Sequence, residues 1–390
     1  MAKDTIIISD FNLRANNRGS AALGYGSLHF LREKGFLKDG DKLFRLGFYK
    51  NPFRLSYHHN KSTIVEEGNH KWQYTIIFIF FIEKILLLKF GITLPFTTFG
   101  KLCKRLRLVA AINGGDGFSD IYGTSMFLGR LPETLVGMKL GAELILMPQT
   151  IGPFKDNSNK QLAEQILKYA SKVYVRDDKF IKELEQMGVD YERTKDLSYY
   201  MKPQPWDVDI LPNAIGINVS GLAYSNHFKS LTGEFDAYPE LINSIITHFQ
   251  SKGLPVYLIP HSYNYTTPDT DNDDLVACKE AYSKLSNRDN VFLIDKDLIS
   301  PQIKYVISRM SFFIGTRMHA NFAAIFTHVP VYGLSYSYKF EGAFKANGIS
   351  GQLSNICNIK KDDIKRIVND IDRAYTKLVA NSSKNNKGIL

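Results

Sequence analysis

Short apolar runs alternate along the chain with longer segments of helical period, the pattern of an α/β protein with mainly parallel sheets. Strands are expected over 5–9, 43–49, 108–112, 143–147 and 173–175. Helices are expected over 20–34, with Ser20 able to cap it, and over 131–140, 159–170 and 177–187, the last closed by Gly188. Pro203, Pro205 and Pro212 then punctuate a stretch without period. The alternation restarts with strands over 214–219, 256–259 and 291–294 and helices over 239–251, 273–285 and 301–308. Phe312-Phe313-Ile314-Gly315 reads as a strand and glycine turn, followed by a helix opening on Arg317 and His319, a strand over 330–335 and a loop ending on Lys339. The expectation is an α/β chain of two Rossmann-like domains facing a cleft, 1–205 and 206–390, with a terminal helix at 361–378 that is a candidate to pack back on the first domain.

Charge changes this picture in one place. From Arg32 to Arg107 there are 15 Lys and Arg against 6 Asp and Glu, so +9 of the chain's net +10 belongs to that segment. The segment also carries the apolar run 75–90, which is short for a membrane span and is cut by Glu83-Lys84. A core or interfacial helix is the expectation, with two readings open: a buried helical pair with a solvated basic face, or a contact with an anionic membrane surface through cations such as Lys101, Lys104, Arg105 and Arg107. No reader motif accompanies the basic residues, so no nucleic-acid partner is expected. Cys103, Cys278 and Cys357 lie too far apart for a metal-ligand spacing or a disulfide framework. The run 5–9 is too brief for a signal-peptide core, and a cytoplasmic location is expected.

Several polar residues fall just after expected strands, where loops converge at one edge of a sheet. In the second half these are Asn218, Ser220, His261, Arg317, His319, Tyr336 and Lys339; in the first they are Asn16, Asn17, Asp116 and Gln149. A helix N-terminus with an arginine fork suits a phosphate or carboxylate, and a histidine beside it exchanges protons near neutrality. The plainer readings are that Arg317 pairs with a structural carboxylate, that the histidines are satisfied core groups, that Lys339 closes a loop and that Asp116 shapes a glycine turn. Gly114-Gly115-Asp116-Gly117 has neither the dinucleotide-binding spacing nor a P-loop lysine. Asp269, Asp271, Asp273 and Asp274 lack the calcium-loop pattern and read as a capped helix start.

Taken together, Asn16-Asn17-Arg18-Gly19-Ser20, Asn113-Gly114-Gly115-Asp116-Gly117, Pro148-Gln149-Thr150-Ile151-Gly152-Pro153-Phe154, Val175-Arg176-Asp177, Gly315-Thr316-Arg317-Met318-His319-Ala320 and Ser335-Tyr336-Ser337-Tyr338-Lys339 make the chain resemble the polysaccharide pyruvyl transferase family. It departs at Asp116, where family members often carry a plain triple glycine. The resemblance implies a glycosyltransferase-B type architecture and transfer of the pyruvyl group of phosphoenolpyruvate onto a sugar, closing a cyclic ketal, with no metal or cofactor. It implies Arg317 and Lys339 on the donor's anionic groups, His319 as acid and His261 as second donor. Asn218, Ser220 and Tyr336 would line the donor side, in the second domain. Asp116, Asn16, Asn17 and Gln149 would serve the acceptor side, in the first. The acceptor would be a lipid-linked polysaccharide precursor, a sugar on a polyprenyl diphosphate, met peripherally at the inner membrane face. Two alternatives stay open: a nucleotide-sugar glycosyltransferase of the same architecture, and a non-catalytic sugar- or lipid-binding protein.

Overall fold

A computed structural model describes residues 3–58, 63–67, 70–337 and 339–385. The chain divides into two compact units, Met1–Asn12 with Leu23–Met201, and Leu13–Ala22 with Lys202–Leu390. The segment carrying Asn16 and Asn17, expected on the acceptor side in the first domain, is therefore part of the second unit.

The first unit is built on strands β1 (Thr5–Ile8), β2 (Lys42–Tyr49), β3 (Tyr57–His58), β4 (Thr63–Glu67), β5 (His70–Phe80), β6 (Leu106–Ala111), β7 (Glu143–Gln149), β8 (Lys172–Val175) and β9 (Glu192–Arg193). Its sheet runs β3-β5-β2-β1-β6-β7-β8-β9, with β4 also on β5. The pairs from β5 to β9 along that path are parallel, and β3 and β4 add antiparallel to β5. The apolar run 75–90 is not one helix. Thr75 to Phe80 complete β5, and a helix follows at Phe81–Phe90. Consecutive β-branched and aromatic side chains favour the strand, and β2 offers it a parallel partner over seven residues.

The second unit carries β10 (Ile215–Asn218), β11 (Val256–Leu258), β12 (Val291–Leu293), β13 (Phe312–Gly315), β14 (Val331–Ser335) and β15 (Leu353–Asn355) in the order β12-β11-β10-β13-β14-β15. All five pairings are parallel. The chain builds outward from β10 in one direction, then returns to continue from β13 in the other. The switch point lies between the carboxyl ends of β10 and β13, where open α/β sheets bind ligands. The first unit has the same reversal between β1 and β6.

The terminal helix, Lys361–Asn385, packs on the second unit's own core, where the sequence offered the first domain. Ile364, Ile367 and Ile371 are buried in the cluster that includes Ile245, Phe249 and Phe312. A helical stripe of isoleucines matched to one apolar face fixes that choice. Ile367→Ala should lower unfolding free energy by about 2–4 kcal/mol in a urea titration; a loss below about 1 kcal/mol would mean the helix contributes no core.

Candidate functional site

The second unit's switch point is organised by a carboxylate that accepts from the carboxyl ends of β10, β11 and β13. Asp274, fully buried at the start of the helix Asp274–Ser283, accepts hydrogen bonds from the backbone N–H groups of Gly221 (2.9 Å), His261 (3.1 Å) and Ser262 (2.9 Å). Its partner among the cations is Arg317, whose Nε and Nη2 donate to Oδ1 at 3.0 and 2.7 Å. Nη2 also donates to Asn272 Oδ1 at 2.7 Å. Burial works against the Arg317 charge, but Asp274 and Tyr336 beside it outweigh that and hold the guanidinium above its ordinary pKa. Asn218 completes the node: Nδ2 donates to Ile259 O (3.1 Å) and to Asp274 Oδ2 (3.2 Å), and Oδ1 accepts from Arg317 N (2.8 Å). Asn218 is thus a brace between strands, not a group presented to a ligand.

Around this node the expected residues converge. Arg317 is the N-cap of the helix Met318–Ile325, so His319 stands in its first turn. Thr316 Oγ1 and Tyr238 OH lie 2.7 Å apart, and Tyr238 OH accepts from Ser220 N at 3.1 Å. Ser220 Oγ is buried and has no hydrogen-bond partner among the described residues. His261 is buried; burial first, then the charges of His319, Arg317 and Arg18, push its pKa well below the usual value. It is a neutral imidazole near pH 7, able to donate a hydrogen bond but not to serve as a cationic acid there. His319 packs edge-on against Phe322, with centroids 5.7 Å apart.

The segment from Leu13 to Ala22 lies over these histidines. Arg18 N donates to His261 O at 3.0 Å, and Tyr263 N to Asn16 O at 3.0 Å. A Cβ on Gly19 would sit 2.6 Å from His319 Nδ1; only glycine lets the backbone approach the imidazole this closely. Asn17, not Ser20, caps the helix Arg18–Glu33, its Oδ1 accepting from Gly19 N at 2.9 Å. Arg18 anchors the segment through Leu298 O (2.7 Å), Asp297 Oδ1 (2.8 Å) and the Tyr263 ring, 4.3 Å from its guanidinium carbon. Asn16 is exposed and lines a polar cavity of about 170 Å³ with Arg14, Asn264, Tyr265 and Asp297. The Lys339 side chain lies outside the described residues.

The first unit's switch point carries the glycine loop. Asn113, Gly114 and Gly115 follow one another at φ 48°, 64° and 82°, a left-handed run that explains the glycines. Arg130 Nη1 donates to Asn113 O at 2.6 Å and would collide with a Cβ at Gly114 or Gly117. Arg176, nearly buried, donates to Asp196 (2.6 Å) and Thr150 Oγ1 (3.1 Å). Asp196, Asp116 and Asp177 overcome its burial and keep it firmly charged. Asp116 is half-buried and accepts from Tyr122 OH at 2.9 Å. Gln149, expected to touch the acceptor, is instead fully buried. Its amide donates to Ala111 O and Met147 O, and its oxygen accepts from Asn113. It shapes the loop from within.

Asp274, Arg18, Arg176 and Asp196 were not singled out from the sequence. Arg18 and Arg176 stood inside quoted motifs, whereas Asp274 was read only as part of an acidic helix start. Asp273 does cap that helix, accepting from Leu275 N and Val276 N. Among the described residues no group of three or more His, Cys, Asp or Glu could hold a metal ion.

Two doubly wound, mainly parallel sheets, each with polar groups at its switch point, define an α/β protein of glycosyltransferase-B type architecture. A solved structure from Listeria monocytogenes, assigned as UDP-N-acetylglucosamine 2-epimerase, shares this fold over 97% of this chain and 91% of its own, with a TM-score of 0.53 and 12% identity. The UDP-GlcNAc 2-epimerase of Methanocaldococcus jannaschii matches at TM-score 0.49 and 11% identity, over 94% and 91% of the two chains. The polysaccharide pyruvyl transferase family pattern matches residues 17–338. The chain belongs to that family and is a transferase.

Two measurements test the electrostatics. Asp274→Ala should destabilise the protein by about 3–5 kcal/mol, because Arg317 is left buried without its carboxylate; a loss under about 1 kcal/mol would show that the node is not structural. Burial in the first unit pushes the Glu133 carboxyl up to about 8, well above the usual glutamate range. A raised folded-state pKa stabilises below the unfolded value and is lost as pH rises through the folded one, so stability should fall between about pH 4.5 and 8, by up to roughly 4–5 kcal/mol. Glu133→Gln should flatten that fall in melting curves; an unchanged slope would place the titration elsewhere.

Proposed function

We propose that this transferase takes phosphoenolpyruvate at the second unit's switch point and moves its pyruvyl group onto a polysaccharide precursor carried on a polyprenyl diphosphate, forming a cyclic ketal. The observation that carries the reading is the placement of His319 and His261 beside the fixed Arg317–Asp274 pair, with Gly19 packed on the His319 imidazole. Arg317, the first-turn N–H groups of Met318–Ile325, Ser220 and Lys339 provide positive charge and donors for a phosphate and a carboxylate.

The chemistry balances without a redox partner. His319 protonates the methylene carbon of phosphoenolpyruvate, and one sugar hydroxyl adds to the adjacent carbon and gives up its proton. A neighbouring hydroxyl then forms the second C–O bond as the C–O bond to phosphate breaks, and its proton leaves with the phosphate. His261, neutral, donates a hydrogen bond. Asn16 with Asn17, in the same unit as His319, orients the sugar. A positioned acid of this kind contributes about 10²–10⁴-fold.

Phosphoenolpyruvate should raise the melting temperature of the protein by mass action, and nucleotide sugars should not. His319→Asn should keep that shift while lowering turnover by about 10²-fold or more. Gly19→Ala should lower turnover as well, since the new methyl displaces the imidazole. Stabilisation by a nucleoside diphosphate without any by phosphoenolpyruvate would favour the glycosyltransferase reading; full turnover in His319→Asn would remove the acid from the mechanism.

A further inference from the structure

We infer that one corner of the first unit is a membrane-docking surface for anionic lipid, which places the acceptor-side loop at a bilayer. The inference deepens the lipid-linked reading above. Nine of the seventeen exposed large hydrophobic side chains of the described residues lie between positions 49 and 96: Tyr49, Phe53, Leu55, Tyr57, Phe81, Ile82, Phe90, Ile92 and Phe96. Phe53 is 92% exposed, Phe96 65% and Phe90 61%. Apolar side chains this open and this concentrated mark an interaction surface.

Seven of these side chains, all but Phe90 and Ile92, belong to one place because a buried carboxylate ties their segments together. Glu83, in the first turn of Phe81–Phe90, accepts from Ser56 Oγ at 2.8 Å and from Ser56 N at 2.5 Å. Ser56 Oγ in turn accepts from Phe99 N at 2.8 Å, at the start of the helix Thr98–Arg105. The loop bearing Phe53 and Leu55, the first helical turn bearing Phe81 and Ile82, and the turn bearing Phe96 are thereby gathered at the carboxyl ends of β2 and β5, whereas Phe90 and Ile92 stand at the far end of their helix, beside Lys139. Tyr49 and Tyr57 pack there on Phe78 and Phe80. Glu83, which cuts the apolar run 75–90, is the group that gathers the surface.

Charge selects the occupant. Among the described side chains from 49 to 104, every exposed charge is cationic, including Lys50, Arg54, Lys89, Lys101 and Lys104, and the one carboxylate is buried Glu83. Arg105 and Arg107, expected to help, are instead engaged with Asp4 and Asp41. Aromatic and aliphatic tips set among lysines and arginines fit the interface of an anionic bilayer, where rings sit at headgroup depth and cations meet lipid phosphates. No described helix is long and apolar enough to cross a membrane, so the contact is peripheral. The corner lies at the same carboxyl edge of the parallel sheet from which β6 leads into the glycine loop at Asn113. A sugar held at a membrane by its lipid would meet that edge first.

The test is co-sedimentation of the full-length protein with vesicles of phosphatidylcholine containing about one third phosphatidylglycerol, and with vesicles of phosphatidylcholine alone. The wild type should pellet with the former and much less with the latter. Phe53→Ser, Phe81→Ser and Phe96→Ser combined should weaken that binding by about tenfold or more. So should Lys50→Gln, Arg54→Gln and Lys101→Gln combined, with melting curves confirming that both variants fold. Failure of the wild type to bind anionic vesicles, equal binding by the variants, or light scattering that shows the apolar tips sealing a dimer would overturn the inference. Both variants should retain stabilisation by phosphoenolpyruvate, so failure here is distinct from failure of the donor assignment.

Discussion

The second unit's site depends on a single constraint: the buried carboxylate of Asp274 must be satisfied from several sides at once. Unpaired buried charge is expensive, and Asp274 meets the demand by drawing in three backbone N–H groups, the Asn218 amide and the Arg317 guanidinium. Those donors come from the carboxyl ends of β10, β11 and β13. Satisfying one charge therefore fixes the loops that carry Ser220, His261 and His319. The same satisfaction immobilises Arg317, leaving a positive group whose position does not depend on a ligand arriving, the kind of preorganisation that electrostatic catalysis requires.

The first unit repeats the device with different residues. Asp196 holds Arg176 beneath the glycine loop, and Asp120 accepts from Lys155 N and Asp156 N. Glu83 gathers the apolar corner. In each case a carboxylate accepting backbone N–H groups or an arginine does in a loop what ladder hydrogen bonds do in a strand. Segments that are polar and irregular in sequence become fixed in space.

Much of the fold was legible because it rests on periodicity. Two rounds of apolar runs and amphipathic helices predicted two α/β units, and the strand–turn–helix at Phe312–Ala320 was placed correctly. The error at 75–90 came from a run apolar on every side, where period cannot separate strand from helix; the parallel partner offered by β2 decided it. The terminal helix was ambiguous because its isoleucine stripe names no recipient. Of the candidate site, Arg317, His319, His261 and Ser220 could be picked out because each follows a strand. Asn218 and Gln149 follow strands too, yet they brace backbone from inside the fold, a distinction that burial makes and sequence position does not. Asp274 was hidden among neighbouring aspartates, since its role comes from contacts 12 to 56 residues away.

The account stands or falls on where the pyruvyl carbon goes. The protein would be incubated with phosphoenolpyruvate labelled with carbon-13 at its second carbon and with the saccharide acceptor, and the products followed by carbon NMR alongside phosphate release. The account predicts that the label moves into a ketal carbon on the saccharide, one phosphate appearing for each ketal, and that His319→Asn suppresses both together. Label that stays in phosphoenolpyruvate, or that leaves as free pyruvate with no saccharide signal, would contradict it.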